Sequence, residues 1–239
     1  QHDHYWDFSS PPLIQSVFFG GNLDELGLRL AWVAPTDFFL QLAIELLQGE
    51  NEMSFGRKGF ELEGISVDDV RAPGIWVATV KGSFDLGNLT ILAGLSNARG
   101  SARIGPETEA ENITPAFSGT SNIFGADLTL KYLFDSIRYL SLQAEMITRT
   151  TRGDAYQLDA SENCITSGQR GSQAGTYIQA VSRLNKRLRL GARMDLLWKN
   201  HLEIDSVHLD LPRNLARYTA MAEWNPTEFS RLRLQYTYD

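Results

Sequence analysis

The sequence predicts an all-β fold: a transmembrane, antiparallel, up-and-down β-barrel of 10–12 strands with short periplasmic turns and long extracellular loops. Three observations predict it. Segments of about ten residues alternate apolar and polar side chains, the period of a strand with two different faces. These segments come in pairs joined by very short turns, while successive pairs are separated by long polar stretches. Charged residues in the interior of the segments fall on one parity.

Taken in order, residues 1–24 are rich in His, aromatic residues and proline and are read as a periplasmic tail, a plug or a first strand, the last option resting on Leu13-Ile14-Gln15-Ser16-Val17-Phe18-Phe19. Strands are expected at 25–34, 37–48, 74–85, 88–98, 121–134, 137–149, 174–184, 187–199, 214–224 and 228–238. Pro35-Thr36, Leu86-Gly87, Asp135-Ser136, Asn185-Lys186 and Asn225-Pro226-Thr227 supply turn-forming residues for the short connections. The stretches 50–73, 99–120, 150–173 and 200–213 are expected to be the long loops. Residues 25–239 thus form the barrel, which is expected to lack a final strand, because Asp239 directly follows a strand running toward the long-loop rim.

One parity is predominantly apolar. It carries Leu28, Leu30 and Trp32, then Leu42, Ile44 and Leu46, then Leu128, Leu130 and Tyr132, and continues through Leu140, Leu142, Leu190, Met194, Leu232 and Leu234. The opposite parity holds Arg29, Glu45, Lys81, Asp127, Lys131, Glu145, Arg187, Arg189, Arg193, Asp195, Arg217, Glu223, Arg231 and Arg233. A charge facing hydrocarbon at mid-membrane costs roughly 2–4 kcal/mol, so this sorting is what a lipid solvent would enforce. The facing of 174–184 stays open, since Tyr177 shares a parity with Gln179 and Arg183. Aromatic residues flank both ends of the strands, as an interfacial girdle requires.

Composition excludes other classes. At 239 residues, 43% hydrophobic and 21% charged, with mean hydropathy −0.23, the chain resembles a water-soluble protein. Barrels share that profile because lumen and loop residues dilute the lipid-facing ones. No run of 18 apolar residues exists to form a membrane helix. The net charge of −7 and pI near 5.2 argue against a nucleic-acid partner. The chain opens with no basic n-region or apolar h-region, so a secretory signal would lie upstream or have been removed. Cys164 stands alone, which rules out an internal disulfide framework.

Several segments resemble a family of bacterial outer-membrane proteins labelled zinc-regulated TonB-dependent receptors or uncharacterised outer-membrane proteins. They are His2-Asp3-His4-Tyr5-Trp6-Asp7-Phe8 with Pro12-Leu13, then Gly27-Leu28-Arg29-Leu30-Ala31-Trp32-Val33-Ala34-Pro35-Thr36, and Trp224-Asn225-Pro226-Thr227-Glu228-Phe229-Ser230-Arg231-Leu232-Arg233-Leu234-Gln235-Tyr236. The resemblance implies an outer-membrane location, contact with lipid and lipopolysaccharide, and one further C-terminal strand. It does not carry over TonB-dependent transport, because about 22 strands and a plug domain exceed this length.

Candidate sites follow from the polar parity. Arg29, Glu45, Lys81, Asp127, Lys131, Glu145, Arg189, Arg193, Arg231 and Arg233 would line the lumen. They would either set up a transverse field that selects solutes or pair across a narrow interior and fill it. His2 and His4, an H-x-H pair, would suit zinc if further ligands converged. His201 and His208 are expected in a solvated loop beside Glu203, Asp205 and Asp210. No G-x-S-x-G or H-E-x-x-H motif is present, and Ser206 with His208 makes only a loop pair, so an outer-membrane hydrolase is the least favoured reading. The expected function is a porin-like channel or uptake protein for small solutes, metal-linked uptake included. The alternative is a non-conducting scaffold that anchors a periplasmic or extracellular protein.

Overall fold

Alternation of side chains commits most of this chain to strands, and backbone pairing then orders them as a meander. The computed structural model describes residues 7–51, 53–62, 64–109, 112–114, 116–158, 163–227 and 229–239. It contains one helix, α1 (Leu13–Phe19), followed by β1 (Gly27–Val33), β2 (Phe39–Leu47), β3 (Phe60–Leu62), β4 (Ile65–Val67), β5 (Ile75–Leu86), β6 (Leu89–Ile104), β7 (Glu107–Glu109) and β8 (Asn112–Thr114). Then come β9 (Ala116–Leu133), β10 (Tyr139–Leu158), β11 (Cys164–Arg183), β12 (Leu188–Ile204), β13 (Val207–Leu209), β14 (Leu215–Thr227) and β15 (Ser230–Tyr238). The main sheet runs β1-β2-β5-β6-β9-β10-β11-β12-β14-β15, every neighbour antiparallel, with β13 added to β12. Hairpins β3-β4 and β7-β8 stand apart from it. No described helix is long and apolar enough to cross a membrane.

Registers align the two parities into continuous rows. Leu30 pairs with Ile44, which pairs with Ala78, and a second apolar row runs Leu128, Ala144, Ile178, Met194 and Tyr218, each paired with the next. This apolar face is exposed: Leu30 is 75% exposed and Leu234 76%, while Arg193 and Asp195 on the other face are buried. That is the reverse of a water-soluble sandwich, in which leucines pack inward. On the polar face, Lys81, Gly94, Asp127, Glu145, Tyr177, Asp195 and Arg217 form one row across seven strands, each paired with the next. The row also settles β11, where Tyr177, Gln179 and Val181 are buried on the helix-bearing face and Ile178 faces out.

Three expectations are corrected. Residues 13–19 form a helix and not a strand: Ile14 and Phe18, four apart, bury one stripe, Pro12 sits at the N-cap position, and Gly20 ends the helix at φ 69°. The expected loops at 99–120, 150–173 and 200–213 are largely strand, so that β10 and β11 each run 20 residues, about 65 Å at 3.3 Å per residue. Beyond the apolar rows both faces are polar, so the alternation that marks a strand disappears while backbone pairing continues. Lastly, His201 and His208 lie on the β12–β13 hairpin and not in a loop.

The residues of α1 are packed on the polar face over β10, β11 and β12. Its Ile14 and Phe18 share one apolar cluster with Leu47, Ile75, Val77, Ala98, Ile123, Ile147, Tyr177 and Leu197, which come from seven successive strands of the sheet.

Candidate functional site: a polar face that holds the N-terminal segment

Residues 7–19 are tied to the sheet almost entirely by the polar-parity side chains. Arg193, buried, donates from Nε to Asp195 Oδ2 at 2.8 Å, from Nη1 to the Ser10 carbonyl at 2.9 Å and from Nη2 to the Pro11 carbonyl at 3.1 Å. Its guanidinium also lies over the Phe8 ring, 4.9 Å from the centroid. Asp195 uses its other oxygen to accept the Leu13 N–H at 2.8 Å. One buried ion pair therefore fixes both the entry and the first turn of α1. Such a pair tolerates burial only with its remaining hydrogen-bonding capacity filled, and the segment's own backbone fills it.

Further along, Gln15 Nε2 reaches both carboxylate oxygens of Glu145 at 3.1 Å. Arg149 stacks over Phe18 at 5.2 Å and donates to Ser54 Oγ at 2.8 Å and the Met53 carbonyl at 2.6 Å. Ser54 Oγ and Asn51 Nδ2 donate to the Phe18 and Phe19 carbonyls, at 2.5 and 3.0 Å, so the last turn of the helix is satisfied from the β2–β3 connection. Gln235 closes the other end, accepting from Ser9 N–H at 2.8 Å and donating to Ser10 Oγ at 3.1 Å.

A second charge cluster lies nearer the short-turn rim. Glu223, with its side chain 2% exposed, accepts from Arg189 at 3.1 Å and Arg233 at 2.5 Å, and Arg231 stands 3.7 Å away. Arg189 also binds Asp7 of the N-terminal segment, and Gln179 contacts Asp7 at 3.5 Å and Gln143 at 2.9 Å. Two glycines make room for the segment. A Cβ on Gly175 would stand 2.6 Å from Ile14 Cγ2, and one on Gly191 3.1 Å from Phe8 Cζ, so at each position the missing side chain is what lets the segment approach the sheet.

Of the ten sequence-predicted lining residues, Glu145, Arg189, Arg193, Arg231 and Arg233 gather around this segment or the carboxylate beside it. Five do not: Arg29 pairs with Glu45 at 3.2 Å near the exposed β1 edge, Lys131 lies over Tyr139 at 4.8 Å, Asp127 sits against Gly94, and Lys81 is exposed. The expected transverse field between an arginine stripe and a facing acidic set is not what these contacts build. Arg189, Arg193 and Arg233 are instead neutralised beside themselves by Asp7, Asp195 and Glu223. Arg149 was outside the expected lining set although it continues the odd parity of Glu145 and Ile147. Gln15, Ser10 and Asp7 carry no periodic signal, because they belong to the ligand side of the contact. His2 and His4 lie outside the described residues.

No protein-family model matches the chain. It is 44% identical over 236 residues to an uncharacterised protein of Aquifex aeolicus (strain VF5), covering 98% of this chain and 49% of that protein. The chain thus spans about half the length of this relative.

Proposed function

We propose that the chain builds an outer-membrane β-barrel whose interior is closed by its own N-terminal segment, a gated passage for small solutes and not an open porin. The observation that carries this reading is the burial of residues 7–19 on the polar face by Arg193, Asp195, Glu145 and Arg149 while the leucine face opposite is exposed. An exposed, uncharged apolar belt about nine residues tall, tilted near 40°, is about 23 Å high, the height of an outer-membrane hydrocarbon band. A curled sheet would fit the packing: Ile14 and Phe18 of α1, about 10 Å long, belong to one apolar cluster with residues of seven successive strands, which laid flat would extend about 29 Å between the outer two. Cans of about eleven strands hold a central helix, which fits the proposed 10–12.

Conductance in planar bilayers tests the reading. The full chain should show little or no current, and Ile14→Asp with Phe18→Asp, which makes the helix face incompatible with its apolar cluster, should open frequent steps. Large steady steps from the unmodified chain would defeat the plug. Silence from both proteins would favour the scaffold reading, to which a filled interior also lends itself.

A further inference from the structure

We propose that His201, Glu203 and His208 form a binding site for a divalent transition-metal ion of the zinc class on the β12–β13 hairpin, separate from the N-terminal segment and its charge clusters. One ligand atom from each residue lies within 4.8 Å of the others. The two imidazole centroids are 4.6 Å apart, and His208 Nδ1 is 3.7 Å from Glu203 Oε2. Register explains the convergence: Glu203 is the direct cross-strand partner of His208, and His201, two residues earlier on the same strand, shares its face.

The backbone presets this face. Asp205 and Ser206, at φ 47° and 68°, make the two-residue turn with left-handed conformation at both positions that suits a hairpin's twist. Asp205 Oδ1 accepts from Gly168 N–H at 2.7 Å and Asp205 N–H donates back to the Gly168 carbonyl at 2.9 Å, locking the turn to β11. The register shift at Ala174/Gly175 exchanges parity in β12: Asp195 and Leu197 face α1 below it, and Asn200 joins Gln173 above it. His201 and Glu203 therefore turn to the opposite face, open to solvent and to an arriving ion.

Chemistry selects the class. Two imidazoles and one carboxylate suit zinc or copper, whereas calcium and magnesium take all-oxygen sets. Tetrahedral coordination at about 2.05 Å places ligand atoms about 3.3 Å apart. Closing the present 4.8 Å spread calls for side-chain rotation at exposed His201 and His208 and at half-buried Glu203. Three protein ligands leave a fourth position for water or a ligand on another molecule.

Zinc chloride titrated calorimetrically into the full chain in detergent micelles tests this, with His2→Ala/His4→Ala as the background that removes the N-terminal H-x-H. One equivalent should bind in both proteins. His208→Ala and Glu203→Gln should each weaken binding by at least about tenfold, with far-UV circular dichroism unchanged. Without any substitution, zinc should also slow amide exchange at 203–208. Absence of stoichiometric binding in the background protein, undiminished affinity in folded His208→Ala, or hairpin exchange indifferent to zinc would each overturn the site.

Discussion

Single side chains decide how the polar face is held together, and Glu223 has the most to lose. It is the shared anion for Arg189 and Arg233, with Arg231 close by, and it is buried. Glu223→Gln leaves Arg233 without a carboxylate, while Arg189 keeps Asp7. Removing one partner of a buried pair costs 3–5 kcal/mol, and the retained Asp7 contact puts this substitution at about 3 kcal/mol, measurable as a lowered urea midpoint for unfolding in micelles. At the short-turn rim, Asp135 shows the opposite regime, an exposed cap. Its Oδ1 accepts the N–H groups of Arg138 at 2.7 Å and Ile137 at 2.8 Å, and its Oδ2 the Arg138 guanidinium at 2.6 Å. These bonds, the Arg138 N–H foremost, hold its pKa at about 2, below the ordinary 3.8. A depressed carboxylate pKa stabilises the fold fully above the unfolded value, and the contribution fades as pH falls from about 4 through 2. The Asp135 carboxyl resonance should therefore titrate near 2, and amide protection at Ile137 and Arg138 should fall over that same window; a midpoint near 4 would show the cap is not formed in solution.

Elements differ in how far the sequence reveals them. Within the apolar belt the strands were legible, β11 without its facing, because a solvent on one side and polar contacts on the other force a two-residue period: Leu188, Leu190, Ala192, Met194 and Leu196 against Arg189, Arg193 and Asp195. Above the belt the period vanishes, so the outer halves of β9 to β12 read as loop although backbone pairing carries them to Leu158 and Ile204. The bulge at Ala174/Gly175, which reorients His201 and Glu203, is a property of pairing and leaves no mark in either strand alone. Helix α1 was missed because seven residues give barely two turns, and Leu13, Ile14, Val17, Phe18 and Phe19 satisfy a strand nearly as well. Of the site, the sheet's charges were legible and their purpose was not, since their partners sit in a segment without periodicity. The belt itself is open to test through neighbouring residues of β10: Leu142 is exposed on the apolar face, whereas Gln143 hydrogen-bonds Gln179 on the polar one. Leu142→Arg should lower stability in lipid by roughly 2–4 kcal/mol and block the heat-modifiable band in gels, while Gln143→Arg, near Asp7, assembles. Equal yields of folded protein from both would refute the assigned faces.

For the whole molecule, the outstanding problem is the pair of edges. Among the described residues β1 and β15 each pair on one side only, and β1 is exposed along its full length on both faces. Hydrocarbon offers no partner for the free N–H and C=O groups of such an edge, so a membrane-embedded sheet must cover both. The two edges could meet each other, as the last strand meets the first in a self-contained barrel, since β1 runs toward the short-turn rim and β15 away from it, which makes them antiparallel. In the proposed barrel, further strands between them would fit the packing better. The N-terminal segment reaches β15 through Gln235 and β12 through Arg193, and α1 packs over β10, β11 and β12, whereas the inward β1 positions Arg29 and Ala31 are exposed. An interior closed by direct β1–β15 pairing would bring those positions against the segment. Leu30 and Leu234 lie near the middle of β1 and β15 on the apolar face, and direct pairing in the register that sets them opposite would bring their Cα atoms within the roughly 4.4–6.8 Å that a disulfide spans. Leu30→Cys with Leu234→Cys should consequently fail to cross-link under mild oxidation in outer-membrane lipid, while Leu30→Cys with Ile44→Cys, partners in the β1–β2 ladder, should cross-link readily. Efficient bonding of the first pair would mean that ten strands suffice and that the segment shifts toward β1 as the barrel closes.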